Sequence, residues 1–196
     1  IEMSDYLSGI EEVKLAQKLR GCGNYLVFRD YYTVGKVRLH AASFCRKHLL
    51  CPLCAIRRGA KLVKAYLERL RLIREGNPAL KAYLVTLTVK NGPDLDERYA
   101  HLHRSVKKYH KARHQPHIER EVQRAAGAVW SYEFKRGHNS GEWHPHVHAV
   151  WLCETPPDAR RLSAEWHDVT GDSFIVDVTP FHDQDDVVSG FLEVFK

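Results

Sequence analysis

The segment Trp143-His144-Pro145-His146-Val147-His148-Ala149-Val150-Trp151 carries a histidine at every second position over His144–His148. Side chains on a β-strand switch faces at each residue. Read as a strand, the segment lines one sheet face with three imidazoles. It sends Pro145, Val147, Ala149 and Trp151 the other way, into a core. Neutral imidazole is the commonest metal ligand, and two rings at i and i+2 can grip one ion. The alternative is a solvated polar face on an amphipathic strand, which the apolar and aromatic flanks argue against.

A partner strand follows from the turn chemistry. Ala126 to Lys135 has strand composition, and Gly137-His138-Asn139-Ser140-Gly141 is a hairpin signal. With the turn between residues 138 and 141, Glu133 falls opposite His146 and Ser131 opposite His148. A register shifted by one pair sets Glu133 opposite His148 instead. Either way one carboxylate meets two imidazoles, because cross-strand neighbours lie about 5 Å apart. Glu133, His146 and His148 then form a mixed nitrogen and oxygen site. It suits Mn²⁺ or Mg²⁺ with positions left open for substrate. Glu133 taken alone is a surface strand carboxylate. For His144 the roles of ligand, support to a ligand, phosphate contact and plain polar residue all stay open.

Cysteine spacing points to a second metal. Of Cys22, Cys45, Cys51, Cys54 and Cys153, three crowd into Cys45-Arg-Lys-His48-Leu-Leu-Cys51-Pro-Leu-Cys54. A two-residue gap between thiolates is knuckle spacing for tetrahedral zinc. A disulfide would need an oxidising compartment, and nothing else suggests secretion. Cys45, Cys51 and Cys54 are expected zinc ligands. The fourth is either Cys22, which lies before an expected hairpin (25–28 with 36–44), or the nearby His48. Cys153 is expected in the core.

Periodicity supplies the frame. Helices are expected near 9–20, over 52–76, from an Asp94 N-cap to about Lys111, from Pro156-Pro157 onward, and from about Asp183. Strands are expected at 81–89, 126–135, 144–152 and 173–178. In the long helix, Leu62, Val63, Tyr66, Leu67, Leu70 and Ile73 form an apolar stripe. Arg57, Arg58, Lys61 and Lys64 largely avoid it and are candidate contacts to nucleic-acid phosphates, or else a solvated face. In the last helix Val187, Val188, Phe191, Val194 and Phe195 form the buried side, opposite Asp186, Ser189 and Glu193. Mixed helices and strands with an antiparallel hairpin predict an α+β protein. The expected form is a central antiparallel sheet with flanking helices, plus a small zinc-binding N-terminal element. The expected division is residues 1–75, carrying the zinc region, and 76–196, carrying the sheet.

Lysine and arginine exceed the acids by 30 to 24 over 196 residues, a moderate bias toward polyanions. No apolar stretch approaches a membrane span and no signal peptide is visible, so a cytoplasmic protein without membrane partners is expected. Starting at Ile1 and stopping at Lys196, the chain reads as a fragment of a longer protein.

Together these pieces resemble the HUH endonucleases, whose motif is His-hydrophobic-His, here His146-Val147-His148. More narrowly, the chain resembles the rolling-circle replication initiators of small bacterial plasmids. Leu19-Arg-Gly-Cys22-Gly23, Phe44-Cys45, Cys51-Pro52-Leu53-Cys54 and Arg57-Arg58 are similar to the cysteine-rich N-terminal region of that family. Leu84-Val-Thr-Leu-Thr88 is similar to its first motif strand, and Ser131-Tyr132-Glu133 with His144 to His148 to its metal motif. Glu193-Val-Phe-Lys196 resembles the start of its Glu-x-x-Lys-Tyr motif. The gap between Cys45 and Cys51 is one residue longer than the family's, which keeps His48 open as a ligand.

The resemblance implies the HUH fold and a sequence-specific single-strand DNA endonuclease and ligase. A tyrosine nucleophile would form a 5′-phosphotyrosine intermediate and free a 3′-OH for priming. It implies Glu193 as the acid that activates water or a second attack, and Lys196 as a contact to the phosphate or the attacking oxygen. It implies Zn²⁺ as a structural ion, Mn²⁺ or Mg²⁺ as the catalytic one, single-stranded or hairpin origin DNA as substrate, and a host helicase as partner. The tyrosine would be position 197, so the chain as given is expected to bind DNA and not nick it. Two other readings compete. His144, His146 and His148 also resemble the histidine triad of nucleotide hydrolases, where Pro145 fits poorly and the cysteines have no role. A non-catalytic zinc-knuckle nucleic-acid-binding module, with the histidines buttressing the sheet, is the other.

Overall fold

The computed structural model describes residues 3–115, 117, 119–137 and 140–195. Lys196, and His138 and Asn139 of the expected turn, lie outside the described residues. Among the described residues the protein is α+β, with six α-helices and two antiparallel sheets. Two compact units divide inside the long helix, after Lys64.

The first unit opens with α1 (Met3–Gly9) and α2 (Val13–Arg20). The sequence predicts one helix near 9–20. Instead the chain breaks at Glu11, whose φ of 65° is left-handed and cannot continue a right-handed helix. Strands β1 (Leu26–Tyr31) and β2 (Lys36–Ala42) pair from Leu26↔Ala42 to Tyr31↔Lys36, with a bulge at Val27/Phe28. Their short connection closes on Gly35, whose φ of 60° suits glycine. Helix α3 (Pro52–Gly76) starts at its proline, as expected, because the first helical turn needs no N–H from it. Of its apolar stripe Val63 and Leu70 are buried, but Ile73 is exposed.

The second unit is built on β3 (Lys81–Thr88), β4 (Ala125–Arg136), β5 (Trp143–Cys153) and β6 (Val176–Pro180), ordered β4-β5-β3-β6. Helices α4 (Leu95–Lys111) and α5 (Ala159–Thr170) cover one face. Tyr83, Val85, Leu87, Val147, Ala149 and Trp151 meet Leu102, Val106, Leu162 and Trp166 there. Each valine or leucine among them contributes roughly 1.5–3 kcal/mol by leaving water, which fixes the strand faces. Cys153 lies in this core, fully buried. The Asp94 carboxylate caps α4 by accepting from the Glu97 N–H. Asp158 caps α5 through the Arg160 and Arg161 N–H groups. That cap starts α5 at Ala159, after the prolines expected to open it. Strand β6 likewise begins three residues later than expected, because Ser173 is held in a turn by Thr170.

Helix α6 (Gln184–Phe195) lies over the opposite face, against β5 and β4. Val187, Gly190, Phe191 and Val194 are buried, the expected Val188 and Phe195 are half-buried, and Phe191 and Phe195 pack on Tyr66. Asp183 begins it, accepting from the Asp186 N–H. The sheet face beneath α6 carries the histidines.

Candidate metal centres

Strand pairing assembles the first centre. Glu133 stands opposite His146 and Ser131 opposite His148, the register expected for a turn at 138–141. On the other side of β5, Thr88 and Thr86 stand opposite the same two histidines. Both imidazoles turn Nε2 toward one carboxylate oxygen, at 3.0 Å (His146) and 3.1 Å (His148) from Glu133 Oε2. Lys135 Nζ sits 3.0 Å from the other oxygen, Oε1. His146 is buried, and Glu133 and His148 are half-buried.

The remaining ring nitrogens test whether these residues fit a cation. Nδ1 of His146 lies 3.3 Å from the His144 carbonyl oxygen, an acceptor, so Nδ1 must carry a proton. In a neutral ring Nε2 then presents a bare lone pair, aimed at a carboxylate oxygen that also only accepts. Such a contact needs a proton or a cation between the two. Nδ1 of His148 is engaged by the Thr86 hydroxyl at 3.0 Å. Both rings thus keep Nε2 for the centre and Nδ1 for a support, the arrangement that orients metal-bound histidines.

Helix α6 brings a third element. Glu193 Oε2 is 3.9 Å from His148 Nε2. Helical periodicity alone made Glu193 a solvated acid, whereas it borders the histidine pair. His144 shares the face, but its Nδ1 meets Asn91 Oδ1 at 2.6 Å, and it is not among the three convergent ligand atoms. Burial, then the charges of His146 and Lys135, push its pKa down. Thr86, Asn91 and Lys135 had no role in the sequence reading. The signal for Thr86 was present: threonines at 86 and 88 alternate with apolar residues and mark the polar face of β3.

The second centre lies in the first unit. Sγ atoms of Cys22, Cys45, Cys51 and Cys54 come within 4.8 Å of one another. The Sγ–Sγ distances are 3.6 Å for Cys22–Cys54 and 3.5 Å for Cys45–Cys54 and Cys22–Cys51. Disulfide sulfurs stand about 2.05 Å apart, and all five cysteines are free thiols. Four sulfurs bonded to zinc at about 2.3 Å form a tetrahedron with edges near 3.8 Å, close to what is observed. Burial, then the crowding of neighbouring thiols, pushes Cys45 up to about 12. Burial opposes ionisation of Cys51 too, but the Cys54 N–H and the surrounding thiols hold it below its ordinary value. His48 does not join the sulfurs; it lines a cleft beside Cys54. Of the candidate phosphate contacts, Arg58, Lys61 and Lys64 are exposed on α3, while Arg57 is half-buried against Phe44.

An α+β chain with a His-His-Glu convergence and a cysteine tetrad has the donor sets of a protein with two metal sites. Its family is defined more narrowly by comparison. The family model described as Replication protein (Rep_1) matches residues 36–156, and the chain belongs to that family. The match includes Cys45, Cys51, Cys54, Glu133, His146 and His148, and ends before Glu193. A "Protein rep" from a Bacillus species is 28% identical over 176 residues, covering 87% of this chain and 54% of the relative. A "Protein rep" from Lactiplantibacillus plantarum is 26% identical over 185 residues, covering 92% and 56%. One from Bacillus amyloliquefaciens is 27% identical over 176 residues, covering 87% and 49%. The chain spans about half the length of these curated relatives. No solved structure matches it. Among the described residues no helix is long and apolar enough to cross a membrane.

Proposed function

We propose that this chain is the nicking core of a cytoplasmic rolling-circle plasmid replication initiator with the HUH fold. It would cleave and rejoin one DNA strand at a single-stranded or hairpin origin. Residues 1–75 would form the zinc-bearing region and 76–196 the nuclease, with a host helicase acting downstream. One observation carries this reading: His146 and His148 aim Nε2 at a single Glu133 oxygen, beside Glu193. Membership of a replication-protein family supplies the DNA context.

Glu133, His146 and His148 would hold Mn²⁺ or Mg²⁺, and Cys22, Cys45, Cys51 and Cys54 a structural zinc. A divalent ion at the first site supplies Lewis acidity and a template for the scissile phosphate. The histidine pair would hold the ion that meets a phosphate oxygen, and His146 is buried at the base of the site. A tyrosine following Lys196 would attack phosphorus in line, forming a 5′-phosphotyrosyl bond and releasing a 3′-OH. Glu193, on the same helix, would take the proton from water or a second nucleophile at termination. Lys196 would steady the phosphate, and His144 would contact the strand beside it. The histidine-triad reading has less support. Its attacking nitrogen would be on His146, which is buried and directed at Glu133.

The test uses the longer protein with its native residues after Lys196 and a labelled origin hairpin. With Mn²⁺, a denaturing gel should show a covalent 5′ adduct. His146→Ala and His148→Ala should each abolish it while the fold persists. Adduct formation at the normal rate in both variants would sink the metal assignment.

A further inference from the structure

Beside the cysteine tetrad the first unit has an open cleft of about 370 Å³, walled by Phe44, Arg46, His48, Arg57, Arg58 and Lys61. Small-ligand sites begin at about 300 Å³, so the volume admits one nucleotide-sized group. We propose that this cleft is a single-stranded DNA subsite, seating one backbone phosphate and its unpaired base. The proposal rests on the DNA-processing reading above and gives the first unit a place for the strand that does not involve the histidine pair.

The charge of the wall is the first argument. Apart from Cys54 of the tetrad, which also lines the cleft, every ionisable group there is basic. Farther along the same helix Arg71 is neutralised by Glu68 and Glu75. Among the described residues no such ion pair involves Arg46, Arg57, Arg58 or Lys61. Like charges on a helix ordinarily fan out into water. Here they converge on one concavity, where their mutual repulsion favours a bound anion.

Stacking is the second argument. The Arg57 Cζ lies 3.3 Å from the centroid of the Phe44 ring. That separation equals the thickness of two planar groups, so the guanidinium lies flat on the ring. An arginine held flat on one side offers its other face to a base. A base reaches such a platform only when unpaired, which selects single strands over duplex. A purely electrostatic face would have no use for it.

The third argument is the backbone at Arg46. Its φ of 59° is left-handed, a strained choice for a non-glycine residue. Cys45, one residue before, belongs to the tetrad. Metal binding by the sulfurs would therefore hold the Arg46 backbone and aim its side chain at the cleft. On this view the cysteine tetrad builds a DNA contact as well as stabilising the fold.

The experiment is fluorescence anisotropy of labelled oligothymidylate of about ten nucleotides, within the span of single-strand sites, with the zinc-loaded 196-residue chain. Salt is varied. Arg58→Gln with Lys61→Gln should lower the slope of log affinity against log salt by about 0.7, the value for one phosphate on a single strand. Arg57→Lys keeps the charge and loses the plane, so the slope should hold while affinity falls about tenfold. Zinc content and thermal melting should match the parent, since Arg58 and Lys61 are exposed. Photocrosslinking a 5-iodouracil oligonucleotide to the unmodified chain gives a readout independent of any variant. The adduct should map to the peptides bearing Phe44 and Arg57. Parental affinity and slope in both variants, no binding by the parent, or crosslinks confined to other peptides would each overturn the cleft. If those results coincided with a normal covalent adduct from the longer protein, the nicking reading would stand without it.

Discussion

The Thr86 hydroxyl lies 3.0 Å from Nδ1 of His148, on the strand paired with it across from Ser131. It locks the ring so that Nε2 faces Glu133. Groups that orient a ligand's far nitrogen typically affect metal affinity by about 10–100-fold. Thr86→Val keeps the shape of the side chain and deletes the hydroxyl. Calorimetric titration with Mn²⁺ should show affinity falling at least tenfold, toward the lower end of that range, with unchanged circular dichroism. Parental affinity would mean that strand pairing alone orients His148.

The sulfur geometry discriminates between the two candidates for the fourth zinc ligand. Cys22 touches both Cys51 and Cys54, whereas His48 faces the cleft. Elemental analysis after mild chelator dialysis should find about one zinc per chain. Structural zinc in small peptides contributes roughly 10–16 kcal/mol of apparent binding energy, so loss of one ligand is readily seen. Cys22→Ser should lose the metal and Cys45→Ser should destabilise the unit, while His48→Ala should keep its zinc. Metal loss on His48→Ala with retention on Cys22→Ser would reverse the assignment.

The histidine alternation was legible because a strand has only two faces and the core had to take Val147, Ala149 and Trp151. The hairpin signal left two registers for Glu133, opposite His146 or opposite His148, and the strands adopt the first. What the sequence could not disclose was non-local. Thr86 and Asn91 reach the histidines from 62 and 53 residues away in the chain, and no local period encodes that. Glu193 looked solvated because helical spacing says nothing of which sheet face α6 covers. The break at Glu11 was hidden because a left-handed residue other than glycine leaves no compositional mark. The prolines at 156 and 157 drew the start of α5 too early, since the Asp158 cap outweighed them.

Alkaline pH should weaken the second unit. Burial, then the charge of Glu121, pushes the Cys153 thiol up to about 11 from an ordinary 9.0. Burial and its 2.6 Å hydrogen bond to Glu165 raise Tyr109 well above its ordinary 10.0. In both cases the folded state favours the protonated form. The contribution is whole below the unfolded pKa and is lost as pH rises, because the unfolded chain ionises first. Urea unfolding should therefore show stability falling from about pH 9 and falling faster beyond 10, each group adding a slope of up to about 1.4 kcal/mol per pH unit. Cys153→Ala should remove the part between pH 9 and 11. A flat profile to pH 11 would contradict the burial argument.

Gly190 sets how closely α6 approaches its neighbours. A Cβ added there would run into the ring of Phe181, just before the helix. Alanine is favoured over glycine inside a helix by about 1 kcal/mol, while overpacking costs typically 1–3 kcal/mol. The ring is rigid and half-buried, so the clash should win and Gly190→Ala should be net destabilising. The further consequence is positional. Glu193 lies one turn beyond Gly190, and its 3.9 Å approach to His148 depends on where the helix sits. Mn²⁺ affinity should change little, because Glu133, His146 and His148 belong to the sheet. In a form extended past Lys196, strand rejoining, for which Glu193 is proposed to take the proton of the second nucleophile, should fall well below the parent rate. Single-turnover assays of cleavage and rejoining beside Mn²⁺ titration would separate the two effects. Equal losses of metal affinity and rejoining would mean that α6 is part of the metal centre itself.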